Sequence, residues 1–529
     1  MNSKRIGFLI FFFYLIINLI ILPDYGLSWD YHYHHYAGLY HLGKPVPSVS
    51  DSKIPFSEPD PRLTTQDPFG PFTQIIPSLS QIIFSDTFKM LPFDIAYNLP
   101  MVIFGSLGVL VQYFFLLEAF NFPIALLGSL ILALNPTYIG YLHNNMKDIP
   151  NAFAFALSIW LFWRLVKFRN VSSLLFASLA FAFAFNVKIN SVFIPVICGL
   201  YYLLVIARTP MSNRGAWQSR ANARKQVARF LDFARNDRII LLYFVLAPLF
   251  ALLVWWPFWS DPLGKLMELP KFYSLNTYNM PVLFFGNIIR SGINIPPFYP
   301  YIYLAITTPL PILITAIIGI IFSTGFAILK KYNYLLLLLW FFMPLVRYLD
   351  PKTGAIDGVR HFMEVLYPFS FFAGVGSLLI LRRFNKNYRL IIAFILFTVL
   401  LIDNIKFHPY QTSFFNSLIG GVSGANGKFD IDFWGTPQKE AVLWLNNNAP
   451  YKSYIHIVMA QSTAASYLRS DLLDNVNKKN ITESDYIVLL NRQSFFNLYG
   501  ISPQRLSKDH QLVFSRKIEN VPLVWVFKR

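Results

Sequence analysis

Cysteine is almost absent from this 529-residue chain, and charged residues are scarce. The single cysteine, Cys198, lies inside an apolar run, so the chain can form no intramolecular disulfide and no cysteine-based zinc site. Charged residues make up only 14% of the sequence, whereas 55% of it is hydrophobic and 18% aromatic. This composition lies far outside that of soluble globular domains and predicts a polytopic membrane protein.

Acidic residues are few as well. The chain has 27 Asp and Glu against 45 Lys and Arg, which gives a formal net charge of +18. Nucleic-acid binding would explain such an excess, but so would basic loops gathered on one side of a membrane. The most basic loop, 208–238, joins two apolar segments and is interpreted as a solvated cytoplasmic linker. No nucleic-acid partner is predicted.

Eleven apolar segments are candidates for membrane spans, because a hydrocarbon core of about 30 Å needs a helix of roughly 20 residues. The loops that carry the clustered Lys and Arg alternate along the chain, which places the N-terminus in the cytoplasm. The first segment has no small-residue cleavage site after it and is interpreted as a retained signal anchor. The segments lie near 6–23, 95–117, 122–142, 149–166, 171–187, 189–207, 239–258, 301–328, 332–347, 364–381 and 389–403.

The remaining loops and the tail are expected on the extracytoplasmic side. The first of these loops, 24–94, contains two predicted surface-lying helices over 31–42 and 71–90. In the tail, PQKEAVLWLNNN has the pattern of an amphipathic helix, and YIHIVMA, DYIVLL, QLVFSRK and VPLVWVFK have the pattern of short strands. The predicted fold is a polytopic α-helical membrane module over 1–403 with a small extracytoplasmic α/β domain over 404–529.

Ionisable residues of both signs are concentrated where the helices should meet the outer surface. An unpaired charge is costly at that border, so such a concentration predicts a functional site. The segments concerned are SWDYHYHHYAGLYHLG, HNNMKDIP, FNVKIN and DPKTGAIDGVRHFMEVLYP. The candidates in these segments, together with Arg347 from the apolar segment before the last of them, are Asp30, His32, His34, His35, His41, His143, Lys147, Asp148, Lys188, Asp350, Lys352, Asp357, Arg360 and His361.

Simpler roles stay open for the main candidates. Asp30 and Asp148 each stand where a carboxylate can cap a helix N-terminus. Lys188 lies at a tight turn, from which a lysine can extend towards the membrane surface. The pair Arg360 and His361 can face lipid head groups.

A metal site that includes histidines of the first loop is possible in only one conformation of the helix that follows Asp30. If the helix already includes Asp30, then Asp30, His34 and His41 share one of its faces and could bind a divalent metal ion. If Asp30 caps the helix, that face is lost, and His32 and His35 point elsewhere in either case. Histidines interleaved with tyrosines favour an interfacial aromatic frame. No cofactor other than this divalent metal ion is considered.

Four segments together resemble a known family. WDYHYHHYAGLYHLGKP, HNNMKDIP, DGVRHFMEVLYP and HPYQTSFFNSLIGGVSGANGKFDIDFWG occur in this order between residues 29 and 435. They resemble the GT-C superfamily of polyprenyl-phosphate-sugar-dependent glycosyltransferases. Within it, the chain is similar to the bacterial family-39 branch, to protein O-mannosyltransferases and to the lipid A aminoarabinose transferase.

This resemblance implies a reaction and a base. A sugar carried on a polyprenyl phosphate is attacked by an acceptor hydroxyl or amine, with inversion at the anomeric carbon. The acidic residue that the family places early in its first outer loop maps onto Asp30. Many members have a second acid beside it, where this chain has Tyr31, so Asp148 is the second carboxylate expected here.

The same residue types suit the chemistry. A carboxylate can accept the acceptor's proton, and the leaving phosphate, which gains charge, needs cations. Lys147, Lys188, Arg360 and His361 are the predicted phosphate-binding residues. The motif Asp430-Ile431-Asp432 imitates a nucleotide-sugar signature, but no nucleotide sugar is expected on the outer face, and a surface turn is predicted.

The predicted partners are a polyprenyl-phosphate sugar donor, the membrane, and a lipid, glycan or protein acceptor. The predicted location is the bacterial inner membrane, with the active site and the tail on the extracytoplasmic face. One alternative is a transporter or flippase of a lipid-linked or anionic substrate, which should place charges at mid-membrane. Another is a structural protein, which would not need a first loop so rich in ionisable groups.

Overall fold

Helices dominate the fold in the computed structural model, which describes residues 2–47, 67–208 and 238–529. The predicted basic linker, apart from its ends, and the proline-rich part of the first loop at 48–66 lie outside the described residues. The helices up to residue 407 are α1 (Ser3–Ile21), α2 (Tyr31–His41), α3 (Pro71–Gln81), α4 (Phe93–Ala119), α5 (Phe122–Ala133), α6 (Pro136–Leu142), α7 (Asp148–Phe168), α8 (Val171–Val187), α9 (Phe193–Arg208), α10 (Arg238–Val254), α11 (Pro262–Leu275), α12 (Tyr299–Ile306), α13 (Leu310–Ile328), α14 (Tyr332–Phe342), α15 (Leu366–Leu381) and α16 (Lys386–Phe407).

Seven helices of the described chain are long and apolar enough to cross a membrane, and α5 with α6 makes an eighth span if this bent pair counts as one. Three shorter apolar helices cover 171–187, 189–205 and 238–254. All eleven predicted segments are therefore largely helical, and the prediction of a polytopic α-helical membrane protein is confirmed. The seven are Ser3–Asp24, Phe93–Ala119, Asp148–Phe168, Leu310–Ile328, Tyr332–Leu349, Gly358–Leu381 and Lys386–Phe407.

Proline interrupts two of the predicted spans. The segment predicted at 301–328 divides into α12 and α13, with Pro309 at the N-cap of α13. In the segment predicted at 122–142, Pro136 starts a new helix at an angle of 59° to the preceding one. The Asn135 side chain caps that helix by accepting the amide of Tyr138. Proline has no amide hydrogen and restricts the residue before it, so it suits the start of a helix and not its interior.

Glycine lets two central helices of the bundle approach each other. A Cβ atom on Gly319 of α13 would lie 1.8 Å from the carbonyl oxygen of Phe372 in α15. A Cβ atom on Gly376 of α15 would lie 1.9 Å from that of Thr315. Small residues permit such backbone contact between membrane helices. α15 is thereby held in the centre of the core, and the segment that leads into it is fixed as well.

The chain after α16 forms a small α/β unit, as predicted. Its four-stranded sheet has the order β3-β4-β6-β5, with β3 and β4 parallel and the other neighbours antiparallel. A separate hairpin, β1 with β2, lies in the loop before α12. The strands are β1 (Pro281–Phe284), β2 (Asn287–Arg290), β3 (Ile455–Ile457), β4 (Tyr486–Leu490), β5 (Gln511–Ile518) and β6 (Val521–Lys528), and the helices are α17 (Gly421–Ala425), α18 (Thr436–Asn448), α19 (Gln461–Ala465), α20 (Ser470–Leu473) and α21 (Pro503–Asp509).

This C-terminal unit packs on the first loop. The amide of Trp29 donates to the carbonyl of Trp434 over 3.0 Å. The carboxylate of Asp94, at the start of α4, accepts hydrogen bonds from Lys439 (2.8 Å) and from the Tyr467 hydroxyl (3.0 Å). These contacts hold the beginning of α2 against the C-terminal unit.

Candidate active site

Asp30 stands at the N-cap of α2, but its carboxylate does not cap the helix. Its Oδ2 instead accepts hydrogen bonds from Lys147 Nζ (2.7 Å) and Arg360 Nη2 (2.6 Å). Burial by itself would raise the pKa of the Asp30 carboxyl, but the charges of Lys147 and Arg360 outweigh it and hold the pKa well below its usual range. The side chain keeps 28% of its surface exposed. Asp30 is thus an ionised carboxylate with two cations on one oxygen.

Asn145 organises the turn that carries the next two candidates. Its Oδ1 accepts the amides of Lys147 (3.0 Å) and Asp148 (2.7 Å), where α7 begins. The capping role considered for the Asp148 carboxylate is therefore wrong, because Asn145 satisfies these amides. The Asp148 carboxylate, 1% exposed, is left to accept from Asn145 Nδ2 (2.7 Å), from Lys188 Nζ (2.5 Å) and from Arg360 Nε (3.2 Å).

Lys188 ends α8 with an extended backbone, at the tight turn that the sequence predicts. Its side chain is only 11% exposed and is engaged with Asp148. It does not extend away towards a surface, so the simpler role considered for it is wrong. A buried lysine needs such a carboxylate partner.

Arg360 lies in the 3-10 helical segment Gly358–Val365 and joins three carboxylates. Besides Asp30 and Asp148, its guanidinium reaches Asp357 Oδ2 through Nη1 over 2.7 Å. Its carbon Cζ lies 4.3 Å from the centre of the Trp434 ring, which is within the range of a cation–π contact. Arg360 is 9% exposed and does not face head groups. The planar guanidinium has donors that point in several directions, so it can bond to three carboxylates at once. The compact ammonium of a lysine could not reach all three in this geometry.

His361 does not join these ion pairs through its ring. Its carbonyl accepts from Asn190 Nδ2 (2.9 Å) and Arg347 Nη2 (2.7 Å). Its Nε2 is buried and has no hydrogen-bond partner among the described residues. Asp350 and Lys352 are exposed and also lie outside the ion-pair network.

The histidines of α2 are buried and do not form the interfacial frame that the sequence predicts. His32, His34 and His35 are 2%, 2% and 5% exposed. The His35 ring stacks on Tyr31, and its Nδ1 lies 3.1 Å from the Ser78 hydroxyl on α3. Burial lowers the pKa of His35 to about 3, so this ring is neutral. The reason for the difference is that α3 and the C-terminal unit cover α2.

The structure does not assemble the metal site left open by the sequence. His41 pairs with Asp67 over 3.8 Å, whereas His34 packs edge-on against Phe69. Asp30 is already engaged with cations. No group of three or more His, Cys, Asp or Glu side chains that could hold a metal ion occurs within residues 2–47, 67–208 and 238–529.

Arg492 and Trp434 belong to the site but come from places where the sequence carries little signal. Asp357 links two arginines, because its Oδ1 accepts from Arg492 Nη2 over 2.8 Å while Oδ2 accepts from Arg360. Arg492 follows β4 in the C-terminal unit, a region without a recognisable motif. Trp434 stands in a segment that carried the resemblance, but nothing in its spacing predicts a contact with Arg360.

The prediction of a surface turn at residues 430–432 is wrong. Asp430 and Asp432 are 7% and 1% exposed. Asp432 Oδ1 accepts the amides of Trp434 (3.0 Å) and Gly435 (2.8 Å). Burial raises the pKa of the Asp432 carboxyl to about 6. Asp432 thereby fixes the backbone beside Trp434, whereas Asp430 accepts the amides of Ser494 (2.8 Å) and Leu283 (3.3 Å).

The chain matches known proteins in sequence and in structure. Residues 81–221 match the family model of dolichyl-phosphate-mannose-protein mannosyltransferases. No curated protein matches the chain in sequence. Among solved structures, ArnT from Cupriavidus metallidurans bound to undecaprenyl phosphate is 12% identical, with a TM-score of 0.49 over 99% of this chain and 98% of that one. The oligosaccharyltransferase AglB from Archaeoglobus fulgidus, in complex with an inhibitory peptide and a dolichol-phosphate, is 12% identical, with a TM-score of 0.46 over 92% of this chain and 72% of that one.

The family-model match lies in the part of the chain that contributes Lys147, Asp148 and Lys188. It covers the HNNMKDIP turn, one of the four segments on which the resemblance was based. The predicted resemblance is confirmed over this part of the chain: residues 81–221 are similar to the dolichyl-phosphate-mannose-protein mannosyltransferase family.

Proposed function

We propose that the chain is an inverting glycosyltransferase that moves a sugar from a polyprenyl-phosphate donor to an acceptor hydroxyl or amine on the extracytoplasmic side of the membrane. The observation that carries this proposal is the single oxygen of Asp30 held by both Lys147 and Arg360. A carboxylate and two cations lie within one hydrogen-bond length of each other, and we propose the carboxylate as the base and the cations as the phosphate-binding groups. Transfer from a phosphate-linked sugar needs a base beside the acceptor and cations beside the leaving phosphate, both within one active site.

The reaction proceeds by displacement at the anomeric carbon. The acceptor oxygen or nitrogen bonds to that carbon while the bond from the carbon to the phosphate oxygen breaks. The acceptor's proton passes to the Asp30 carboxylate, and the electron pair of the broken bond leaves with the polyprenyl phosphate. Lys147 and Arg360 stabilise the added negative charge on the phosphate.

The ion pairs of Asp30 imply that the donor must bind before Asp30 accepts a proton. A carboxylate with two cations on it is a poor base, because the cations hold its pKa low. A donor phosphate competes for the same cations, and each contact it takes over makes Asp30 more basic. Asp30 therefore becomes an effective base when the donor is bound. While the donor is absent, Asp30 does not readily accept the acceptor's proton.

Asp148 acts as a support and not as the base. Its carboxylate is 1% exposed and bound by Asn145, Lys188 and Arg360, so an acceptor has little access to it. In this proposal it orients Arg360 and Lys188 towards the donor phosphate. The His361 ring, outside the network, is proposed to add a hydrogen bond to the phosphate.

The family supports the class of donor. The matched family model is described by a dolichyl-phosphate-linked mannose, a sugar on a polyprenyl phosphate. We propose a hexose or pentose on such a lipid as donor and a lipid, glycan or protein as acceptor. The proposed location is the bacterial inner membrane, with the charged network and the C-terminal unit on its outer face.

The test is transfer by the purified protein in liposomes, measured as release of polyprenyl phosphate from a polyprenyl-phosphate sugar in the presence of an acceptor extract. Asp30→Asn should lower the rate about 100-fold or more, because a general base contributes that much. Asp24→Asn is the matched control, since Asp24 lies in the same loop but pairs with His408. Transfer by Asp30→Asn at the wild-type rate would remove Asp30 as the base. Movement of the lipid across the liposome without transfer would favour the flippase alternative.

A further inference from the structure

Asp357 is held in an unusual backbone conformation between two arginines. Its φ of 57° and ψ of 40° lie in the left-handed region, and Gly358 after it has a φ of 61°. A residue other than glycine adopts this conformation at a cost, and contacts around it must hold it there. Both of its carboxylate oxygens supply such contacts, one to Arg360 and the other to Arg492.

Arg492 is itself firmly placed. Its side chain is 6% exposed, and its guanidinium carbon lies 3.8 Å from the centre of the Phe495 ring and 5.3 Å from that of Trp29. Its Nη1 donates to the carbonyl of Phe433 over 3.4 Å. The aromatic rings and the carbonyl fix the guanidinium plane, so that Nη2 meets Asp357.

We infer that Arg492 is a positioning residue of the donor-phosphate site. It acts through Asp357, which it holds so that one oxygen remains for Arg360. This inference rests on the proposed function and adds to it a contribution from the C-terminal unit. Among the described residues, Arg492 forms an ion pair with Asp357 but none with Asp30 or Asp148.

The physical reason is competition for the Arg360 guanidinium. With Arg492 present, Asp357 offers only Oδ2, and Arg360 binds it through Nη1 alone. Its Nη2 then remains on Asp30 and its Nε on Asp148. Without Arg492, both oxygens of Asp357 are available, and a carboxylate prefers a two-point contact with a guanidinium. Such a contact turns Arg360 away from Asp30 and from the donor.

A double-mutant cycle on the full-length protein tests this pathway. The probe is undecaprenyl phosphate, and the measurement is its Kd for detergent-solubilised protein. Arg492→Met keeps the aliphatic packing on Phe495 but removes the hydrogen bonds. We expect it to raise Kd about fivefold or more in the wild-type background. In an Asp357→Asn background it should change Kd less than twofold, since the residue through which it acts is already altered.

Two outcomes would overturn the inference. One is an unchanged Kd in Arg492→Met. The other is the same increase in both backgrounds, because a long-range effect of the arginine charge does not depend on Asp357. If the wild-type protein neither binds the probe nor transfers sugar, the proposed function fails; if it does both while Arg492→Met binds normally, only this inference fails.

Control variants separate positioning from folding. Arg469→Gln removes an arginine of the same C-terminal unit whose hydrogen-bond partners among the described residues, such as Asp471 and Ala449, all lie within that unit. It should leave Kd unchanged, and an increase equal to that of Arg492→Met would overturn the inference. Arg492→Lys serves in the same cycle if Arg492→Met does not fold, and should recover part of the affinity because one hydrogen bond to Asp357 remains.

Discussion

At the scale of single residues, the site depends on the planar fork of Arg360. Three of its nitrogens meet three different carboxylates, and Trp434 covers its face. The identities of Asp30, Lys147, Asp148, Lys188 and Arg360 could be predicted from the sequence, because ionisable residues at helix ends are conspicuous in an apolar chain. Their pairing could not, since it depends on which helix ends meet in space.

Arg360→Lys should lower the use of donor at least tenfold. A lysine keeps the charge but offers one compact ammonium, so at least one carboxylate loses its partner and the phosphate loses a two-point contact. The measurement is the donor KM and kcat in the liposome assay, with thermal unfolding to monitor the fold. Arg347→Lys is the control, because Arg347 bonds to Tyr348 and the carbonyl of His361 but to none of the three carboxylates. Equal kinetics in the two variants would contradict a special role for the Arg360 fork.

At the scale of secondary-structure elements, α2 is the clearest difference between expectation and structure. Its bounds agree with the predicted 31–42, but it is buried where a surface-lying helix was predicted. A Cβ atom on Gly38 would lie 2.3 Å from the carbonyl oxygen of Gln74, so α2 and α3 are in backbone contact. Tyrosine and histidine suit interfaces and cores equally well, and so their pattern does not distinguish the two.

The buried ring of His35 should make the protein less stable in mild acid. Its pKa in the folded state is lowered to about 3 by burial, against about 6.5 when unfolded. Between these values the unfolded state binds the proton and the folded state does not, so stability falls as pH falls. From pH 7 to pH 5, this one group costs about 2 kcal/mol of unfolding free energy.

His35→Gln can keep the hydrogen bond to Ser78 but does not titrate. Denaturant unfolding in detergent at pH 7 and pH 5 should show a smaller loss of stability for this variant than for the wild type. An identical loss in both proteins would mean that His35 is protonated in the fold.

At the scale of the whole molecule, hydropathy was enough to locate the eleven apolar segments that are helical in the described part of the chain, since a membrane-spanning helix needs a long apolar run. Proline divided two of the predicted segments into separate helices. The docking of the C-terminal unit on the first loop was beyond prediction, because contacts such as Trp29 to Trp434 and Lys439 to Asp94 join residues more than 300 positions apart. Arg492 was missed for the same reason.

The proposed orientation of the protein in the membrane can be tested by labelling introduced cysteines, because the chain has a single cysteine of its own. Cys198 is fully buried, so the wild type should not react with a membrane-impermeant maleimide in intact cells. Lys352→Cys, at an exposed position between α14 and α15, should be labelled from outside. Arg383→Cys, exposed between α15 and α16, should be labelled only after the membrane is opened. Reversed labelling would place the charged network in the cytoplasm.

The link from Arg492 to Asp357 also bears on how the protein is made. Every membrane helix precedes Arg492 in the chain, so the ribosome has delivered the whole membrane part before β4 is synthesised. Until the C-terminal unit folds, Asp357 lacks one of its two arginines, and the ion-pair network stays incomplete. A nascent chain that has not been translated as far as Arg492 therefore sits in the membrane without the complete ion-pair network.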